Sequence, residues 1–157
     1  MRSVIQRVSR ARVLVDGTEM ASIGRGLCVL LAAGEGDGEA EADWMADKIV
    51  HLRIFPDESG RMNRSCVEIG AGMIAVSQFT LYGDCRRGRR PSFVHALEPE
   101  RAAALVDRFV ERVRGLGVPC GSGVFGAHME VELVNDGPVT LLLDSAQSRR
   151  SVSGGFG

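Results

Sequence analysis

The chain lacks paired cysteines, clustered histidines, long apolar runs and any large net charge, and each lack excludes a class of function. Cys28, Cys66, Cys85 and Cys120 stand singly, so no Cys-x-x-Cys unit exists to hold zinc or exchange disulfides. They read as four reduced thiols of a cytoplasmic protein. His51, His95 and His128 have no metal-ligand spacing and belong to no recognisable catalytic triad. Each reads as a surface or core residue, and no metal is expected. No apolar run is long enough to span a bilayer, and Met1-Arg2 leads straight into a strand-like segment with no signal peptide. A net charge of −1 excludes binding to nucleic acid through bulk charge, but not through a local patch. No internal repeat is evident.

What is present describes one globular domain. The 157 residues are 45% hydrophobic and 25% charged, enough to bury a sizeable core. Residues 3–8 and 12–15 read as strands. Asp16-Gly17 is a hairpin turn, and residues 19–23 return from it. Residues 27–33 are apolar on both faces and predict a central strand. Asp37 is placed to cap a helix reaching about Leu52, with Met45, Ile49 and Leu52 on one face. Residues 66–69 read as a short strand. The clearest helix opens at Glu98-Pro99-Glu100 and runs to about Leu116, its charged residues forming a solvated face. Residues 120–125, 129–134 and 139–143 read as three more strands, with Asn135 to Pro138 as an interruption. About eight short strands and two segregated helices predict an α+β fold over residues 1–145. Residues 146–157 are expected to be a disordered tail.

Two segments carry chemistry. MIAVSQFTLYGD, starting at Met73, begins as a buried strand and then turns polar at Ser77, Gln78 and Thr80, with Phe79 among them. Such a segment is either a strand meeting water or a site. DCRRGRRPSF, residues 84–93, crowds Arg86, Arg87, Arg89 and Arg90 around one glycine. It is either a solvated loop or a contact for phosphates, whose geometry arginine suits.

SQFTL at residues 77–81 and NDGPVT at 135–140 together resemble the signatures of the D-aminoacyl-tRNA deacylases of the D-tyrosyl-tRNA deacylase type. MRSVIQRVSRARVLVDG, LRIFPDESGRMN, RRGRRPSF and VNDGPVTLLLDS look like that family at matching positions. The resemblance covers about residues 1–145. It implies a cofactor-free, homodimeric hydrolase with a β-barrel-like arrangement of mixed sheets and two main helices packed outside. Such enzymes cleave the ester of D-aminoacyl-tRNA, and of glycine mischarged on tRNA. In the family the Gly-Pro peptide is cis and enters the partner subunit's active site, where it rejects L-amino acids. The matching residues are Gly137 and Pro138. Arg7 matches an arginine that supports this loop.

Two mechanisms stay open for the ester. In one, Thr80 is the nucleophile, although no adjacent base is visible. In the other, water attacks with help from the adenosine 2′-hydroxyl, and backbone N–H groups near Phe79 and Thr80 hold the oxyanion. The second needs only what the sequence supplies. Ser77, Gln78 and Phe79 would frame the terminal adenosine. Met129 is either a pocket wall or a core residue. The rival readings are a non-catalytic RNA-binding protein with the same fold, and a small-ester hydrolase using Thr80 or Ser77.

Overall fold

Alternating burial along Arg2–Val15 makes the first strand, β1, the axis of the sheet. The computed structural model describes residues 1–150. The sequence predicts two strands here, separated by residues 9–11, Ser-Arg-Ala. The chain instead runs straight on. Val8 pairs with Asn135 and Arg10 with Val134, so Ser9 is absorbed as a bulge. Asp16 and Gly17 turn the chain with positive φ, as that dipeptide predicts, and β2 (Thr18–Ile23) returns antiparallel to the second half of β1. The first half pairs antiparallel with β3 (Gly26–Ala32).

From β3 the chain crosses over through α1 (Glu39–Val50) and the small ribbon of β4 (Phe55–Pro56) and β5 (Met62–Arg64). It re-enters the sheet as β6 (Gly72–Ser77), parallel to β3. Residues 66–69 form a turn rather than the expected strand. A second crossover, α2 (Pro99–Gly115), leads to β7 (Cys120–Ser122), parallel to β6. The last strand, β8 (Glu130–Asp144), pairs antiparallel with β1 along its other edge. Asn135 to Pro138 therefore lies inside one long strand, as a distortion of it, and does not separate two. The predicted strand at residues 120–125 shrinks to β7. A short helix, α3 (Ser145–Arg150), occupies the first residues of the expected tail, with Ser145 buried; residues 151–157 lie outside the described ones.

The result is a mixed sheet, β2-β1-β3-β6-β7 with β8 on β1, which curls toward a barrel because β2 also touches β6 and β7. Both main helices cover one face. Met45, Ile49, Phe109 and Val113 are fully buried there against Ile5, Leu27 and Met73. Val8, Val13, Cys28 and Ile74 form a second core on the other face. Two arginines of the expected solvated face of α2 are paired. Arg108 grips Asp43 through both oxygens (2.8 and 2.7 Å), and Arg112 reaches Asp47. Parallel crossover helices lie side by side, so these charges face a neighbour as well as water. Glu98, not the interior of the helix, caps α2 by accepting from the N–H groups of Glu100 and Arg101.

Candidate active site

Ser77 ends β6, and the chain then tightens into a single 3-10 turn, Phe79–Tyr82. Gln78 donates its N–H to Leu31 O (2.8 Å), which extends the β3–β6 ladder by one rung. The first bond within the turn runs from Leu81 N–H to Gln78 O (3.1 Å). The N–H groups of Phe79 and Thr80 stand ahead of that bond, where helical turns leave donors for outside partners. Both residues are exposed, Phe79 by 56% despite its aromatic ring. Ser77 and Gln78 are half-buried behind them.

Thr80 Oγ1 accepts a hydrogen bond from the Gln78 amide. An amide N–H cannot take up a proton, so this neighbour does not activate the hydroxyl. The histidines lie elsewhere. His51 bonds Asp47 O at the end of α1, His95 faces Glu35 at 3.8 Å, and His128 is exposed before β8. Burial pushes the thiols of Cys28 and Cys120 up to about 11 and that of Cys66 to about 12, which keeps them protonated and unreactive near neutral pH.

The Gly-Pro corner is built differently. Gln6 pairs with Thr140 and Val8 with Asn135, so residues 136–139 loop out of β8 opposite a single residue, Arg7. Arg7 is 9% exposed. Its Nε donates to Asp136 O (2.9 Å) and lies 3.4 Å from the Asp136 carboxylate, while another nitrogen donates to Ile54 O. Asn135 braces the loop from within: its side chain donates to Val139 O and Thr140 Oγ1 and accepts from Val139 N–H (3.2, 3.1 and 2.8 Å). The Gly137-Pro138 peptide is cis, and both residues are exposed. Gly137 has φ +140°, and a Cβ there would lie 2.7 Å from Val139 Cγ2. Glycine is therefore required for both conformation and space.

Among the described residues, no hydrogen bond, ion pair or ring contact joins the turn to the corner. Ser77 pairs through Leu31 with Ser3, four residues before Arg7 along β1. The corner lies on the far edge of β1, so the two are roughly 20 Å apart along the sheet, from ~3.3 Å per residue and ~4.8 Å per strand.

The arginine loop leaves from the turn. Asp84 and Ser92 pair across its neck (2.8 and 3.0 Å), and the Phe93 ring packs edge-on against Phe79 with centroids 5.0 Å apart. Arg86 is folded back on Asp84 (2.9 and 2.7 Å), whose carboxyl it holds well below the usual range. Arg87, Arg89 and Arg90 are exposed. Met129 is half-buried against the second core, beside Gly123 and Val13. Sequence reasoning gave no role to Asn135 and Phe93, although both sit inside motifs it quoted. It gave none to Tyr82 or Gly34 either, and it gave Asp37 a different one, as the cap of α1. Asp37 does not cap α1. Gly38 holds that place, with Glu41 reaching back to its N–H (2.8 Å), and the Asp37 carboxylate faces the turn.

Among the described residues no helix is long and apolar enough to cross a membrane, and no three His, Cys, Asp or Glu side chains gather as a metal cluster. Residues 4–144 match the family described as D-Tyr-tRNA(Tyr) deacylase. The D-aminoacyl-tRNA deacylase of Thermomicrobium roseum is 58% identical over 149 residues, 95% of this chain and 97% of that one. The protein of the same name from Roseiflexus castenholzii is 60% identical over 146 residues, 93% of each. Among solved structures, a c-Myc DNA unwinding element binding protein superposes with a TM-score of 0.86 at 40% identity, covering 92% of this chain and 99% of that one. A probable eukaryotic D-amino acid tRNA deacylase shares the fold, with a TM-score of 0.80 at 21% identity over 90% of this chain and 97% of its own.

Proposed function

This chain belongs to the D-Tyr-tRNA(Tyr) deacylase family, enzymes that act on aminoacyl-tRNA, and we propose that its 79–82 turn cleaves the ester with a corner lent by a second copy. The observation that carries the reading is the pair of N–H groups at Phe79 and Thr80, two exposed residues, ahead of the first bond of the turn. Two donors held side by side suit the oxygen that turns anionic when the ester carbonyl is attacked. Water is the attacking group. It adds to the carbonyl carbon, the carbonyl oxygen takes the negative charge, and the ribose 3′-oxygen leaves with a proton. The neighbouring 2′-hydroxyl assists. Thr80 needs no role as nucleophile, which agrees with its amide partner.

Ser77, Gln78 and Phe79 frame the terminal adenosine in this reading, with Met129 as a more distant apolar wall. Gly137 and Pro138 supply the handedness. A main-chain corner has carbonyls to bind an α-ammonium group and no room for an L side chain. Glycine esters, with no side chain to reject, pass the same filter. The separation of roughly 20 Å between corner and turn, by strand spacing, supports delivery of the corner from a partner copy in a homodimer. Arg87, Arg89 and Arg90 meet tRNA phosphates; Arg86, tied to Asp84, contributes less. The protein would work in the cytoplasm, where charged tRNA is found.

The test is direct. Purified protein is incubated with matched D- and L-aminoacyl-tRNA and the free amino acid is measured. Release from the D ester and glycine ester alone is expected. Binding of tRNA without release would leave a non-catalytic RNA-binding protein, and equal release from both would remove the chiral filter.

A further inference from the structure

We propose that Tyr82 is a positioning residue for the ester-cleaving turn, seated in a notch that a glycine at position 34 leaves open. The proposal rests on the reading of residues 79–82 as the site. Tyr82 is the last residue of the turn, and its ring lies against the backbone of the loop after β3. A Cβ on Gly34 would fall 2.3 to 2.5 Å from three atoms of that ring, Cζ, Cε1 and Oη. No side chain tolerates such a contact. Gly34 is not among the residues with positive φ, so the missing side chain serves the ring and not the backbone conformation.

Polar contacts fix what the notch admits. The Tyr82 hydroxyl donates to Asp37 Oδ2 at 3.1 Å, and the same oxygen accepts the Gly34 N–H at 2.7 Å. The other Asp37 oxygen lies 2.6 Å from the Met1 ammonium. The Arg2 guanidinium sits over the ring, 4.5 Å from its centroid, and also donates to Leu81 O (3.2 Å). Burial and the Asp37 carboxylate push the phenol up, so it remains a donor across the physiological range.

The consequence reaches the other end of the turn. Leu81 N–H is tied to Gln78 O and Gly83 N–H to Thr80 O (3.1 and 2.9 Å), so the four residues move as one unit. Holding Tyr82 thus aims the N–H groups of Phe79 and Thr80. Tyr82 itself touches no reacting atom. Sub-ångström aim matters here, since a 1 Å error in placing catalytic groups costs about a hundredfold.

The experiment measures kcat and KM on D-aminoacyl-tRNA, tRNA affinity and Tm for Gly34→Ala, Tyr82→Phe, Tyr82→Ala and the double variant Gly34→Ala/Tyr82→Ala. Gly34→Ala is expected to lower kcat about tenfold or more, with KM and tRNA affinity changed less than about twofold. With the ring already removed in Tyr82→Ala, adding Gly34→Ala should cost nothing further, because no ring is left to strike. Equal loss in both backgrounds, or full kcat in Gly34→Ala, overturns the proposal. Should Gly34→Ala not fold, Tyr82→Phe decides. It keeps the ring and loses the Asp37 bond, and a drop in kcat at unchanged Tm supports the proposal while unchanged kcat overturns it. Failure of the underlying site reading is seen separately: wild-type turnover in Phe79→Pro would move the chemistry away from this turn, whatever Tyr82 does.

Discussion

The turn at residues 79–82 follows the end of β6 and the corner at residues 136–139 loops out of β8, and the two are held by opposite parts. The corner is held by its main chain. Arg7 takes the Asp136 carbonyl, and Asn135 takes the Val139 carbonyl and N–H. The turn is held by its side chains, Tyr82 against Gly34 and Asp37, and Phe79 against Phe93. The first arrangement fixes a backbone shape and leaves Gly137 and Pro138 exposed on it. The second leaves the N–H groups of Phe79 and Thr80, both exposed residues, ahead of the first bond of the turn. A surface that must discriminate by shape suits the former, and a surface that must bond a developing charge suits the latter.

The contrast says how each should break. The turn is most sensitive to loss of a main-chain donor. Phe79→Pro removes one N–H at the first position of the turn, where proline is tolerated, and should lower kcat by about 10²- to 10³-fold, beyond the loss that Phe79→Leu, which removes the ring and keeps the N–H, produces. Single-turnover rates on D-aminoacyl-tRNA read it. The corner is most sensitive to loss of its brace. Arg7→Met keeps an apolar stem and drops the bonds to Asp136 and Ile54. The ratio of kcat/KM for D over L esters should fall about tenfold, and the loss of charged hydrogen bonds should cost about 1.5–3 kcal/mol in unfolding free energy. Denaturant titration measures the second effect. Substituting Arg89 and Arg90 together by Gln touches neither construction. It should weaken tRNA binding several-fold and reduce the slope of log affinity against log salt by about 1 to 2, leaving kcat intact. Thr80→Ala, a side-chain loss in the region whose side chains are not the chemistry, should have the smallest effect, with turnover within about threefold of wild type. Complete loss of turnover with intact tRNA binding would restore the covalent route.

The same division explains what could be read from the chain beforehand. The crossover helices were legible from apolar spacing, and the hairpin from Asp16-Gly17, because those signals are local. The long strands were not. Ser9 and Arg10 look like a break until β8 is known to run alongside and absorb a bulge there. Asn135 to Pro138 look like a loop for the same reason. Within the site, motif resemblance reached the turn, the corner and Arg7 beneath the corner, but not the other supports. Asp37 has the composition of a helix cap, and nothing in its neighbourhood along the chain tells that its carboxylate faces Tyr82, 45 positions on. Gly34 sits in a glycine-rich loop and looks like any turn residue. Its role is set by a ring that arrives only when the sheet has formed.

The central claim is that the corner of one copy completes the turn of another, and mixed dimers test it most directly. One chain carries Phe79→Pro, which disables the turn; the other carries Gly137→Val, which collides with Val139 and Arg7 and disables the corner. Each variant alone should be nearly inactive on D-aminoacyl-tRNA. Co-folded in equal amounts, half the dimers pair unlike chains and each holds one whole site, so the account predicts recovery of about a quarter of wild-type turnover. Turnover no higher than that of either variant alone would contradict it.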